Sequence, residues 1–301
     1  MGAPVVVGYD ASEHAGAALR WAAREARTRG AALRVVYVRD AHDLDVAARP
    51  HGTDLGERGD EGAWPVVEEA AALARDVAPG LETEVYVEYA APAAALVELS
   101  RDAGALVLGA TRHGGLYEAM RATVVMQVTA HAHCPVVVVP PAEVASEVAA
   151  DAPVVVGYDG SAQATLALDA GTDCAWLLGR PLRVVVVWRP GVTEWVVSRG
   201  PTEHEGHDVT EGDAGPLLER ALARVEERLQ GAGAAPGAVE VSGVVHEGQV
   251  VRVLHRESEA AERLVVGTRG RGGFASLLLG SATHTLVRTA RCPVLVVRAS
   301  G

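Results

Sequence analysis

Arg263-Leu264-Val265-Val266-Gly267-Thr268-Arg269-Gly270, followed after nine residues by Gly280-Ser281, reads as a buried strand, a glycine-rich turn and a helix start. The helix is expected to run to about Ala290. The first N–H groups of a helix have no partner inside it and the helix dipole adds positive potential, so this arrangement favours an anion. Gly270 and Gly280 carry no Cβ, which lets phosphate oxygens approach the backbone. Ser281 adds a hydroxyl donor, and Arg269 and Arg271 add positive charge. Glycines also make plain surface turns; the spacing, the preceding strand and the following helix together favour the phosphate cradle.

Working outward, the chain is a tandem repeat. Val5-Val6-Val7-Gly8-Tyr9-Asp10-Ala11-Ser12 returns as Val154-Val155-Val156-Gly157-Tyr158-Asp159-Gly160-Ser161. Cys134-Pro135-Val136-Val137-Val138-Val139 returns as Cys292-Pro293-Val294-Leu295-Val296-Val297. A period of roughly 150 residues is too long for a solenoid unit and matches a whole domain. The expected division is a first domain over 1–141, a linker over 142–153 and a second domain over 154–301. Pro140-Pro141 ends the preceding strand, and the Ala/Glu/Val stretch from there to Pro153 has no clear strand or helix period.

In each copy, short Val/Leu-rich runs alternate with helical stretches. In the first copy the runs are 4–9, 33–38, 84–89, 105–109 and 135–139. They do not alternate apolar with polar, so they read as strands covered on both faces by the intervening helices. That pattern is a doubly wound parallel α/β sheet, Rossmann-like, and it occurs twice. Ser12 and Ser161 stand as helix N-caps, and Gly30 and Gly179 as left-handed C-caps. Long connections, about 39–64 and 189–215, follow the second strand of each copy and read equally as lids or as disordered segments.

Composition excludes several classes. Of 301 residues 49% are apolar and 22% charged, enough to build two cores. No apolar run approaches the roughly 20 residues that span a bilayer, and Met1 leads directly into a strand, so a cytoplasmic protein without membrane association is expected. The net charge of −12 argues against a nucleic-acid partner. Cys134, Cys174 and Cys292 form no C-x-x-C pair and read as buried reduced thiols. The chain contains no lysine, so no Schiff base and no P-loop lysine is available.

These motifs resemble the universal stress protein family in its tandem-domain form, over nearly the whole chain. Residues 267–281 match G-x2-G-x9-G-[ST], the signature of its ATP-binding branch, at every fixed position; the V-V-V-G-Y-D-x-S opening and C-P-V-x-V-V close match as well. The resemblance implies five parallel strands in the order 3-2-1-4-5, with ATP between the ends of strands one and four and Mg²⁺ carried by the phosphates. It implies that the turn Gly157-Tyr158-Asp159 lies at the ligand, with Asp159 reaching the adenosine end, and that the backbone near Val187 contacts adenine. Gly267 would lie against the ribose, while Gly270, Gly280, Ser281 and Ala282 hold phosphates beside Arg269. Asp159 has a second reading, an Asx turn leading into the helix capped by Ser161. In this family the last strands pair domain with domain, which implies an intramolecular pseudo-dimer and further assembly into a homodimer, besides a regulatory partner of unknown kind.

The first copy departs from the motif. Its aligned segment is Gly109-Ala110-Thr111-Arg112, nine residues, then Ala122-Thr123, so two of the three glycines have become Arg and Ala. If position 112 requires a positive φ, a non-glycine residue costs about 1 kcal/mol there. The Cβ of Ala122 would occupy phosphate space and Glu118 would repel a polyphosphate. Asp10, Gly109 and Thr123 remain, so a different ligand stays open; the main expectation is a degenerate site with a structural role.

Other constellations carry less. His131-Ala132-His133-Cys134 has metal-like residue types but reads as a helix end, because the second copy has Thr289-Ala290-Arg291-Cys292 there. His42-Asp43 and His204-Glu205-Gly206-His207-Asp208 read as solvated loop residues, with contact to a nucleotide left open. Trp188 and Trp195 read as hydrophobic lid contacts before base-stacking residues. Two functions compete: a nucleotide-binding stress-response or regulatory module, and a slow ATPase or nucleotide-transferring enzyme of similar architecture. The chain has neither an H-x-G-H nor an S-G-G-x-D-S loop and no evident general base, which favours the non-enzymatic module.

Overall fold

The computed structural model describes residues 2–39, 63–110, 115–143, 145, 148–189, 209–271 and 278–298. The chain divides into two compact units, Met1–Ala142 and Glu143–Gly301. In the first, β1 (Val5–Gly8), α1 (Glu13–Arg29), β2 (Leu33–Arg39), α2 (Trp64–Val77) and β3 (Thr83–Tyr89) form one half. The other half is α3 (Pro92–Leu99), β4 (Ala105–Gly109), α4 (Gly115–His131) and β5 (Val136–Val139). The second unit repeats this as β6 (Val154–Gly157), α5 (Ala162–Leu178), β7 (Leu182–Trp188), α6 (Glu211–Gly231), β8 (Val241–Glu247), α7 (Val250–Glu257), β9 (Arg263–Gly267), α8 (Ser281–Thr289) and β10 (Val294–Val297).

All strand pairs within each unit are parallel. Val5 lies opposite Leu33 on β2 and Ala105 on β4, while β2 continues to β3 and β4 to β5, giving the order β3-β2-β1-β4-β5. The second unit has the same order, β8-β7-β6-β9-β10, with Val154 opposite Leu182 and Arg263. Strand order therefore reverses at β1 in one unit and at β6 in the other. A crevice opens there at the carboxyl ends of the strands.

The central strands are continuous Val/Leu because both faces are covered: Val5, Val6 and Val7 are fully buried, as are Val154 and Val156. The run at 84–89 behaves differently from that expectation. As β3 it is an edge strand and only half-buried throughout, its Glu84 pairing with Arg34 at 3.0 Å and Tyr86 lying under the Arg34 guanidinium. β8 is likewise an edge, its residues a mixture of exposed and half-buried.

The first helix of each unit is fixed at both ends. The Ser12 hydroxyl accepts from Ala15 N and Gly30 takes φ 60°, ψ 34°; Ser161 accepts from Ala164 N and Gly179 takes φ 61°, ψ 37°. Leu19 and Leu168 then point into the cores, each fully buried. The second long connection is shorter than expected, since α6 already starts at Glu211, where the Thr210 hydroxyl donates to Asp213 at 2.7 Å. In the second unit α5 and α6 are tied by two forked ion pairs, Arg224 to Asp169 and Arg228 to Asp173, which hold both guanidinium pKa values above the usual range through hydrogen bonding.

Candidate functional site

The ends of β6 and β9 diverge in the second unit, and a cavity of about 100 Å³ lies between them. Gly157, Tyr158, Asp159, Val187, Gly267, Arg269, Gly270 and Ala282 all line it, so the sequence-expected residues converge on one place. Gly280 and Ser281 stand at the head of α8, next to Ala282. Val250, Leu254, Thr283 and Leu286 also line the cavity and were not anticipated. Thr283 had a local signal, a hydroxyl in the first turn of the helix; Leu254 had none, because tertiary packing alone brings α7 here.

Each glycine has its own steric reason. A Cβ at Gly267 would lie 2.8 Å from the Gln163 carbonyl carbon, so glycine is required there by backbone packing, whereas one at Gly157 would lie 2.8 Å from Leu254 Cδ1, the end of a side chain that can turn aside. A Cβ at Gly270 would run into the Asp159 carboxylate. Gly270 is not among the positive-φ residues, so its requirement is space for that carboxylate, and the positive-φ premise for position 112 does not carry over. Gly280 differs from the others. A Cβ there would meet Thr268 O at 3.4 Å, Arg269 Cα at 3.5 Å and Gly270 N at 3.9 Å, all ordinary contacts.

The loop base is closed by the backbone. Gly280 N–H donates to Thr268 O at 2.8 Å, and the Thr283 hydroxyl donates to Gly267 O at 2.8 Å, clamping the start of α8 to the end of β9. The N–H of Gly280 is therefore engaged, and its contribution to an anion site is space, not a donor. The donors are the N–H groups of Ser281, Ala282 and Thr283, which a helix leaves without internal partners; Gly280 supplies no side-chain cap to them. Asp159 makes the Asx turn: Oδ1 accepts from Ser161 N at 3.0 Å and Oδ2 from Arg271 N at 2.7 Å. Its carboxylate thereby holds the glycine loop against the first turn of the domain.

Trp188 does not reach the cavity. It packs with Tyr158 against Val186, Val209, Ala214 and Leu217, while Val185 and Val187, pointing to the other face of the strand, line the cavity. His42, Asp43, Trp195 and residues 204–208 lie outside the described residues, as do Thr111 and Arg112.

The equivalent place in the first unit is built differently. α4 begins at Gly115, so Ala122 and Thr123 lie inside a helix and not at its start. The Thr123 hydroxyl donates to Ala119 O at 2.9 Å in its own helix. Arg121, one residue before the Gly280 equivalent, pairs with Asp10 Oδ2 at 2.8 Å, where Asp159 receives a backbone N–H. Asp10 keeps the Asx turn, accepting from Ser12 N at 3.0 Å. Gly109 is again required by packing, since its Cβ would lie 2.6 Å from His14 O. Burial, followed by the charges of Glu69 and Asp10, raises the Tyr9 pKa and keeps that phenol protonated.

The His/Cys cluster is a helix end. His131 is the last residue of α4 and its Nδ1 lies 2.8 Å from Gln127 O in the same helix. His133 N donates to the buried Ser100 hydroxyl, as Arg291 N does to Ser258 in the second unit. Cys134, Cys174 and Cys292 are buried free thiols, and burial pushes Cys134 and Cys292 up to about 12. No described helix is long and apolar enough to cross a membrane.

Comparison with known proteins agrees with this architecture. Residues 1–140 and 152–298 each match the universal stress protein family. Universal stress protein Rv2623 of Mycobacterium tuberculosis is 33% identical over 304 residues, covering 98% of this chain and 96% of the relative. Universal stress protein Rv2005c of the same organism is 31% identical over 300 residues, covering 98% and 97%. The crystal structure of a universal stress protein from Archaeoglobus fulgidus superimposes with a TM-score of 0.62 at 19% identity, covering 98% and 96%, which shows the shared fold. The chain belongs to the universal stress protein family, with two of its domains in tandem.

Proposed function

We propose that the second domain binds ATP, with Mg²⁺ carried by the phosphates, and that the protein acts as a nucleotide-dependent stress-response module and not as an enzyme. The observation that carries this reading is Gly280. Among the described residues nothing in the packing forbids a side chain there, and the position immediately precedes the N–H groups of Ser281, Ala282 and Thr283, which receive no side-chain cap. Space beside donors that the helix itself leaves without partners is what a phosphate requires. The cavity behind it, walled by Val187, Val250, Leu254 and Leu286, offers an apolar surface for a base.

Asp159 in this reading serves the adenosine end with its remaining lone pairs, while the same carboxylate positions the loop through Arg271 N. Bound Mg²⁺ would neutralise polyphosphate charge. The described cavity lining contains one carboxylate, Asp159, and both of its oxygens already accept backbone hydrogen bonds. That occupancy suits a binding residue better than a general base, so turnover is expected to be absent or far below 1 s⁻¹.

Gly280→Val tests the assignment. Calorimetry with MgATP should show affinity lost while circular dichroism shows the fold kept; wild-type affinity in the folded variant would refute it. Sustained hydrolysis near 1 s⁻¹ that Gly280→Val abolishes would support the enzyme reading instead.

A further inference from the structure

We propose that the crevice of the first domain is a binding site for a compact, uncharged heteroaromatic molecule with one hydrogen-bonding edge, and that it excludes polyphosphates. The cavity at the ends of β1 and β4 measures about 190 Å³, nearly twice that of the second domain. Val36, Val38, Leu96, Leu108, Val124 and Val125 supply apolar walls. Such a volume lies below the roughly 300–1,000 Å³ of sites for drug-sized ligands, so the occupant is small.

Two polar features decide its chemistry. The first is the Asp10–Arg121 pair, which lines the cavity and neutralises itself at 2.8 Å. An anion entering to meet Arg121 would have to break that pair and leave the Asp10 carboxylate facing it. No helix start compensates, because α4 runs through 122 and 123. The second is His14, whose Nδ1 is buried and has no hydrogen-bond partner among the described residues, although the residue lines the cavity. A buried polar atom left unpaired is costly, and a ligand that supplies its partner recovers that cost. The second domain has Gln163 at this position; its Oε1 is likewise buried without a partner among the described residues, but Gln163 does not line the cavity, so only in the first domain is the orphaned atom's residue part of the cavity wall. Among the described residues the pocket thus combines apolar walls, a self-neutralised ion pair and one unsatisfied ring nitrogen. A flat apolar body with an N–H donor fits all three.

Indole is a suitable probe, and indene is its isostere without the N–H. The chain has three methionines, and Met120 lines the cavity. The ε-methyl of Met120 in the full chain, labelled with ¹³C, should shift on titration with indole and saturate. Indole should bind at least threefold more tightly than indene, the range of a net hydrogen bond. Val124→Phe, which fills the cavity, should abolish the shift, and His14→Phe should remove the indole preference. MgATP should leave the Met120 signal unchanged even at concentrations that saturate the second domain. No saturable indole shift in the wild-type chain would overturn the site, equal binding of indene would overturn the role of His14, and a saturable shift with ATP would overturn the exclusion of polyphosphates. The indole and indene outcomes do not depend on whether the second domain binds ATP, and the MgATP arm is repeated in Gly280→Val so that any shift is assigned to the first domain.

Discussion

The two domains share a scaffold to within a residue at their first helix and differ where their last helix begins. In the second domain α8 starts at Ser281, directly behind Gly280, and presents N–H groups to the crevice. In the first, α4 starts at Gly115 and passes through the equivalent position as continuous helix. Two substitutions, Arg for Gly at 112 and Ala for Gly at 122, accompany this change. Alanine is the best helix former and glycine a poor one, so the sequence that removes the cradle's space also favours extending the helix across it. Helix start and steric clearance are thus lost together. Arg121 then takes up Asp10, so the same Asx-turn carboxylate that holds a glycine loop in one domain holds a side chain in the other.

Gly280→Val should have the largest effect on this comparison. Its side chain would enter the space between the glycine loop and the start of α8, beside Arg269 Cα and Gly270 N, and ATP affinity should fall at least a hundredfold in calorimetry, about 2.7 kcal/mol. The corresponding Ala122→Val, inside a helix, should leave ATP binding unchanged; a comparable loss there would erase the distinction between the domains. Next comes the carboxylate. Asp159→Ala should weaken ATP and AMP alike by about tenfold, since it removes the loop's anchor at Arg271 N and the contact to adenosine. Asp10→Ala should leave nucleotide affinity alone, and its half-exposed ion pair is worth at most about 1 kcal/mol of stability in urea unfolding. An effect of Asp159→Ala confined to ATP would place that carboxylate at the metal.

Smaller effects probe the shared scaffold. Ser12→Ala and Ser161→Ala each remove an N-cap bond at 3.1 Å and should each cost about 1 kcal/mol. Similar losses would show that the first helices are energetically equivalent, whereas a large inequality would mean that one cap does more than its geometry shows. The smallest effect is at Ala11, which takes φ 60° where the second domain has Gly160 at φ 78°. Ala11→Gly should stabilise the first domain by about 0.5 kcal/mol, the relief of strain partly offset by glycine's greater freedom when unfolded. Destabilisation would show that the Ala11 methyl has a packing role that outweighs its backbone strain.

Much of the architecture was legible because it is locally encoded. The Val runs, the Ser caps and the Gly30 and Gly179 stops each act within a few residues, and each appears where its pattern puts it. The convergence of Gly157, Asp159, Val187 and Gly267 was what the family resemblance implied, and parallel topology accounts for it physically by bringing strand ends together. Three features were not legible. The early start of α4 at Gly115 follows from helix propensity winning over an aligned motif. The clash of a Gly270 side chain with Asp159 depends on two segments more than a hundred residues apart. The walls supplied by Leu254 and Leu286, and the turning of Trp188 away from the cavity toward α6, depend on how helices pack on the sheet, which periodicity does not specify.

The central claim is that one domain carries the nucleotide and the other does not. Titration of the intact chain with MgATP by calorimetry measures this directly. One site per chain, lost in Gly280→Val, is the predicted result. Two equal sites per chain, or one site that survives Gly280→Val, would contradict it.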